Sequence, residues 1–184
     1  LSSEIGRKIT HFYTPALAPD FKKHGTSMQE DRAPMPFVRF PRVHYCPRCR
    51  RMKELDWNTL PTDKNMRCNN GERLAAGKGK TCEELYEKHR PRLIPVRFIV
   101  ACESGHVFDF PWERWVHKGH RCPDGPAELY FTSTTQPGTA GIRIACRTCS
   151  ERRSMVGAFN PTQLANVLAE GCPGERPWLG PNSK

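Results

Sequence analysis

Two Cys-x-x-Cys pairs, Cys46/Cys49 and Cys146/Cys149, constrain this chain more than anything else in it. Thiolates two residues apart can grip one cation, and later single cysteines can close a tetrahedral shell around it. Cys68 and Cys82 follow the first pair and Cys172 follows the second. The spacing therefore predicts two structural zinc sites, with one zinc in each. The first shell reads Cys46, Cys49, Cys68 and Cys82, with intervening loops (50–67 and 69–81) of the size zinc ribbons use. The second reads Cys146, Cys149 and Cys172, and its fourth ligand has to be inferred. A hairpin around Pro137-Gly138 would bring Cys122, before its first strand, to Cys146 at the end of its second. That argument favours Cys122 over Cys102. A histidine (His106, His117 or His120) is the alternative.

A disulfide framework is the competing use of these nine cysteines. The odd count leaves one thiol over, and the opening LSSEIGRKITHFYTPALAPDF has no charged-then-apolar leader pattern. A cytoplasmic, metal-binding chain is the expectation. No run reaches the roughly 18 apolar residues of a membrane span. Seventeen prolines limit long helices, and a loop-rich chain has little core with which to hold itself together. Metal binding is then expected to supply part of the folding free energy.

The predicted fold is α+β, made of small zinc-ribbon-like modules with short antiparallel strands and a few short helices. Residues 1–35 read as an arm or linker, 36–92 as the first zinc module, and 93–184 as the second with its hairpin. Phe37 to Tyr45 reads as an extended segment that Pro41 confines to a sheet edge. Cys82 to Arg90 reads as a short helix stopped by Pro91. Leu93 to Ala101 is β-branched and aromatic enough for the main buried strand, and Cys102 to His106 for a turn. A helix starts near Pro111, strands flank Pro137-Gly138, and Asn160-Pro161 opens a second helix that ends by Gly171.

The net charge is +10, and the segment from Arg39 to Arg92 holds 14 Lys/Arg against 7 Asp/Glu. Such an excess suits a polyanionic partner, nucleic acid first and an acidic protein surface second; a merely solvated basic face is the plain alternative. Arg48, Arg50 and Arg51 at the first knuckle, Lys78 and Lys80 in a Gly/Lys loop, and Arg147, Arg152 and Arg153 at the second are the candidates for contacting DNA phosphates. Few aromatics accompany them, so sequence readout is not expected.

Gly77-Lys-Gly-Lys-Thr81 is not a phosphate-binding P-loop, because Leu74 stands where that pattern needs glycine. No nucleophile elbow, kinase set or dinucleotide fingerprint occurs. His106, Asp109, Glu113 and His117 could form a catalytic metal site of a nuclease or hydrolase. The pattern matches no hydrolytic zinc motif, and helix capping and core packing explain it as well. No catalytic residue is assigned.

The order of motifs resembles a known family. Arg39-Phe-Pro41 precedes Cys46-x-x-Cys49; Pro95-Val-Arg-Phe98 leads to Ala101-Cys102-x-x-Gly-His106-x-x-Asp109-Phe-Pro-Trp112-x-x-Trp115-Val-His117. The tail runs Cys146-x-x-Cys149, Ser154-Met-Val-Gly-Ala-Phe159 and Cys172-Pro-Gly-x-x-Pro-Trp-Leu-Gly180. From about 36 to 180 this string is similar to the DrmB-type proteins of the bacterial DISARM anti-phage defence system. The resemblance implies a non-enzymatic partner of a Swi/Snf-type helicase that supplies ATP hydrolysis while the pair acts on phage DNA. DrmB-type chains are several times longer, so it implies a fragment or a short homologue. A pure protein–protein scaffold is the alternative function.

Overall fold

The computed structural model describes residues 38–57, 65–72 and 79–179, all within one compact unit, Val38–Lys184. The expected arm over 1–35 and Lys78 lie outside the described residues. The fold is α+β, as its short apolar runs and frequent prolines dictate. Among the described residues, eight strands of two to five residues form three small antiparallel sheets, accompanied by two short α-helices.

The first sheet has the order β2-β1-β3, formed by β1 (Val43–Tyr45), β2 (Met52–Glu54) and β3 (Ile94–Pro95). β1 is thus central, not at an edge. Pro41 lies two residues before the paired stretch, so its missing N–H interrupts no ladder. The expected strand from Leu93 to Ala101 is two strands in two sheets. After β3 the chain leaves β1, and β4 (Ile99–Ala101) pairs with β5 (Val107–Asp109). Leu93, Val96 and Val100 are buried while Ile94 and Ile99 are exposed, so the stretch lines the core on one side only. Pro95 faces His44 at a position where the ladder needs no N–H, and Val96 N–H makes the last bond to β1, at the Val43 carbonyl (2.9 Å).

The third sheet, β6-β7-β8, is the predicted hairpin with one strand added. β6 (Leu129–Ser133) pairs with β7 (Ile142–Cys146) along their full lengths, and β8 (Arg152–Ser154) adds to β7. Gly141 closes this hairpin where a Cβ would collide with the Gln136 carbonyl. α1 (Trp112–Val116) and α2 (Pro161–Val167) are both short. The Asn160 side chain caps α2 by accepting from the N–H groups of Thr162 and Gln163, at 2.9 and 3.2 Å. Asp109 does not cap α1. Its carboxylate instead accepts from the N–H groups of Arg42 and Val43, fastening β5 to the start of β1.

Cys82 to Arg90 forms only a 3₁₀ turn, Glu87–His89. A capping box is present: Thr81 N–H donates to the Glu84 carboxylate and Glu84 N–H to the Thr81 hydroxyl. The Arg90 guanidinium, however, takes the carbonyls of Glu83 and Leu85 that a longer helix would use.

Two apolar clusters hold these pieces. The larger gathers Trp112, Trp115, Phe108, Phe110, Ile144 and Met155, with Cys122 and Cys146 at its margin. The smaller consists of Cys46, Cys49, Cys68 and Cys82 with Leu55 and Leu93, and the half-buried Met66 packs against it. A cluster that is mostly thiols buries too little hydrocarbon to order three chain segments by itself. Tyr45 stacks on Phe131, with ring centroids 4.7 Å apart, and the Phe131 N–H donates to the Arg50 carbonyl. These contacts join the stretches on either side of the 92/93 boundary drawn from sequence.

Candidate metal centres

Each Cys-x-x-Cys pair sits in a hairpin turn between two strands, and both turns are built alike. Cys46 N–H donates to the Arg51 carbonyl (3.0 Å) and Cys146 N–H to the Glu151 carbonyl (2.7 Å). Each chain reverses through a left-handed residue after the second cysteine: Arg50 at φ 66° and Ser150 at φ 65°. The N–H groups of Arg48 and Cys49 both point at the Cys46 sulfur, at 3.4 Å. Backbone dipoles so aimed stabilise a thiolate.

Cys46, Cys49, Cys68 and Cys82 come together as predicted, all buried and with their sulfurs within 4.8 Å of one another. The Cys46–Cys82 and Cys49–Cys68 separations are 3.9 and 3.6 Å. A tetrahedral shell with metal–sulfur bonds of about 2.3 Å has edges of about 3.8 Å, whereas a disulfide needs about 2.05 Å. The group can hold a cation and contains no disulfide. Its electrostatics point the same way. Contacts with Cys46 and then Cys68 hold the Cys49 thiol far below its ordinary value. Contacts with Cys46 and then Cys49 push Cys68 far above it. Burial, followed by the charges on Cys46 and Cys49, pushes Cys82 up to about 11. Four thiolates this close repel, and a dication at their centre removes the repulsion.

The second group consists of His117, Cys122, Cys146 and Cys149. Cys122 is the partner expected from the hairpin, with its sulfur 3.8 Å from that of Cys146. Cys172 is not part of the group. The C-terminal segment carries it to Cys102 and His106 instead, and His117 takes its corner, with Nε2 at 3.1 Å from the Cys149 sulfur. This corrects the assignment of Cys172 to the second shell. The sequence did offer a signal, because His117 lies five residues before Cys122 at the end of a helix.

Glu113 positions both His117 and Cys122. The His117 Nδ1–H donates to its backbone carbonyl (2.7 Å), a tautomer that leaves the Nε2 lone pair for a cation. Its carboxylate accepts from the Cys122 N–H at 3.1 Å. Burial opposes ionisation of Cys146, but the Cys149 N–H and side chain, and then His117, outweigh it and draw that thiol down to about 7. Burial pushes Cys122 up to about 11. His106, Asp109, Glu113 and His117 do not converge on one centre: His106 joins Cys102 and Cys172, His117 joins the second group, and Asp109 holds β1.

Most of the arginines expected on DNA are engaged within the fold. Arg48 donates to the carbonyls of Lys80 and Thr81, fixing the loop that delivers Cys82. Arg51 reaches Asn70 and Glu128, both at 2.9 Å. Arg147 meets Glu72 at 2.7 Å and lies over the Tyr130 ring, while the Tyr130 hydroxyl donates to Glu72. Glu72 also lies 3.9 Å from Arg51, so one network ties the two knuckles together. The Arg153 guanidinium lies 3.6 Å above the Trp115 ring and donates to the Trp115 carbonyl. Arg50, Lys80 and Arg152 have no side-chain partner among the described residues.

The family model described as a domain of unknown function (DUF8724) matches residues 1–184. The chain belongs to that family. Among curated proteins it is similar to the DISARM protein DrmB of Bacillus paralicheniformis, 26% identical over 155 residues. The match covers 82% of this chain and 24% of the relative, so the DUF8724 chain spans about a quarter of that protein's length. None of its described helices is long and apolar enough to cross a membrane.

Proposed function

We propose that the chain is a non-catalytic, zinc-stapled component of a DISARM-type anti-phage defence assembly, contacting DNA phosphates and a helicase partner. The observation that carries the reading is the DrmB similarity across 82% of the chain. Zinc is the cation favoured by shells of four cysteines and of three cysteines with one histidine, because soft thiolates in tetrahedral array suit it. Shells of those compositions carry net charges of −2 and −1, so the loaded chain keeps about +7 of its formal +10. It stays strongly basic.

The cations available for phosphate are those the fold does not engage. Arg50 and Arg152 stand beside the knuckles, and Lys80 is exposed next to Thr81. Lys78 belongs with them by sequence, whereas Arg48, Arg51, Arg147 and Arg153 act first on the fold. ATP hydrolysis is assigned to the helicase partner.

The test is titration of the zinc-loaded chain against single- and double-stranded DNA at several salt concentrations. A log–log slope of several units is expected, and it falls by about one for each of Arg50→Ala and Arg152→Ala. Absence of binding even at low salt would assign the basic surface to an acidic protein partner and favour the scaffold reading.

A further inference from the structure

Cys102, His106 and Cys172 form a third group of ligating side chains, separate from both four-membered shells. We propose that this group is a third zinc site, with three protein ligands and a fourth position open to exchangeable ligands. The Cys102–Cys172 sulfurs are 3.6 Å apart, and His106 Nδ1 lies 3.4 and 3.6 Å from them. A tetrahedral zinc with bonds of about 2.3 Å to sulfur and about 2.0 Å to nitrogen has edges of about 3.8 and 3.5 Å. The three atoms therefore outline one face of such a tetrahedron.

The backbone holds that face in place. Cys102 and His106 flank the β4–β5 turn, where Cys102 N–H donates to the His106 carbonyl (3.0 Å) and Gly105 N–H to the Cys102 carbonyl (2.9 Å). Gly105, at φ 76°, permits the tight reversal. Cys172 arrives from the C-terminal segment, which the Val107 N–H secures through the Glu175 carbonyl at 3.1 Å. The turn and the C-terminal segment converge although Cys172 and His106 are 66 residues apart.

No fourth cysteine, histidine or carboxylate joins the group among the described residues. Cys172 is exposed and the other two are half-buried, in contrast to the buried first shell, so the remaining corner faces solvent. Zinc held by three protein ligands takes water at its fourth position and exchanges it for other donors. Two thiolates and a neutral imidazole balance the dication, so the site is neutral and attracts neither cations nor anions strongly. Soft or nitrogen donors, thiolate or imidazole, are the ligand class it would accept. Arg176 stands 3.3 Å from His106 Nε2. Nδ1 as a ligand puts the ring proton on Nε2, so loading the site would displace the exposed Arg176 guanidinium from this contact.

The inference shares the zinc chemistry of the proposed function, and the test separates the two. Native mass spectrometry of the 184-residue chain is expected to count three zinc ions, with two in each of His106→Gln and Cys172→Ser and an unchanged far-UV circular dichroism spectrum. In the cobalt-loaded chain, added imidazole or a small thiol is expected to shift the visible bands, and His106→Gln abolishes the shift. Two zinc ions in the parent chain, unaltered by His106→Gln, would overturn the third site and leave the two closed shells standing. Three ions with no spectral response would overturn the open position. A chain that binds no zinc would overturn both this site and the zinc-stapled reading.

Discussion

Ser150 holds the second knuckle in the left-handed region at φ 65°, where a side chain crowds its own carbonyl. Ser150→Gly removes that strain and partly offsets the gain through greater freedom of the unfolded chain. A net stabilisation of about 0.5–1 kcal/mol is expected in urea unfolding, and Ser150→Val is expected to act in the opposite direction. His44 supplies a pH dependence. It is only 3% exposed, and burial lowers its pKa below the ordinary 6.5 despite its 2.9 Å contact with the Arg42 carbonyl. The folded state favours neutral imidazole, so this contribution is complete above pH 6.5 and is lost as pH falls from there toward the folded value. Denaturant titrations should show a shallower loss as pH falls below about 6.5 in His44→Gln than in the parent. Acid protonation of the cysteines is common to both proteins and cancels in the comparison. Equal slopes would show that burial of His44 does not discriminate between its two forms.

At the scale of elements, the parts with local chemical signals were legible in the sequence. Asn160-Pro161 marks the start of α2, and the Pro137-Gly138 turn between two apolar stretches marks β6 and β7. Asn160→Ala is expected to cost about 1 kcal/mol, visible as a lowered urea midpoint with an unchanged slope. The stretch from Leu93 to Ala101 misled because composition reports strand preference but not where a ladder stops, and the chain leaves β1 after Val96 to pair with β5. β2 and β8 have no such signal: Met52–Glu54 has a single apolar residue and Arg152–Ser154 none, and they become strands because a knuckle turns the chain back onto its neighbour. The same limit explains Cys172. Spacing identifies which cysteines are close in sequence, whereas its partners are fixed by the hydrogen bond from Val107 to Glu175.

For the whole molecule, the sequence pointed to the first shell and to where the hairpin would put Cys122, but not to His117 as a ligand or to how the modules are joined. That joint is the Arg51–Glu72–Tyr130–Arg147 network, built from two arginines whose positions suggested DNA. Its members are about one-third exposed or more, so each pair contributes modestly. Arg147→Ala is expected to lower stability by about 1 kcal/mol while changing the DNA salt slope less than Arg152→Ala does. The central claim is that metal holds this fold together, and the most direct test is a chelator titration followed by native mass spectrometry and circular dichroism together. The account predicts that one zinc leaves first with the spectrum intact, and that the remaining two leave only as secondary and tertiary structure collapse. A metal-free chain that keeps its folded spectrum and a cooperative thermal transition would contradict it.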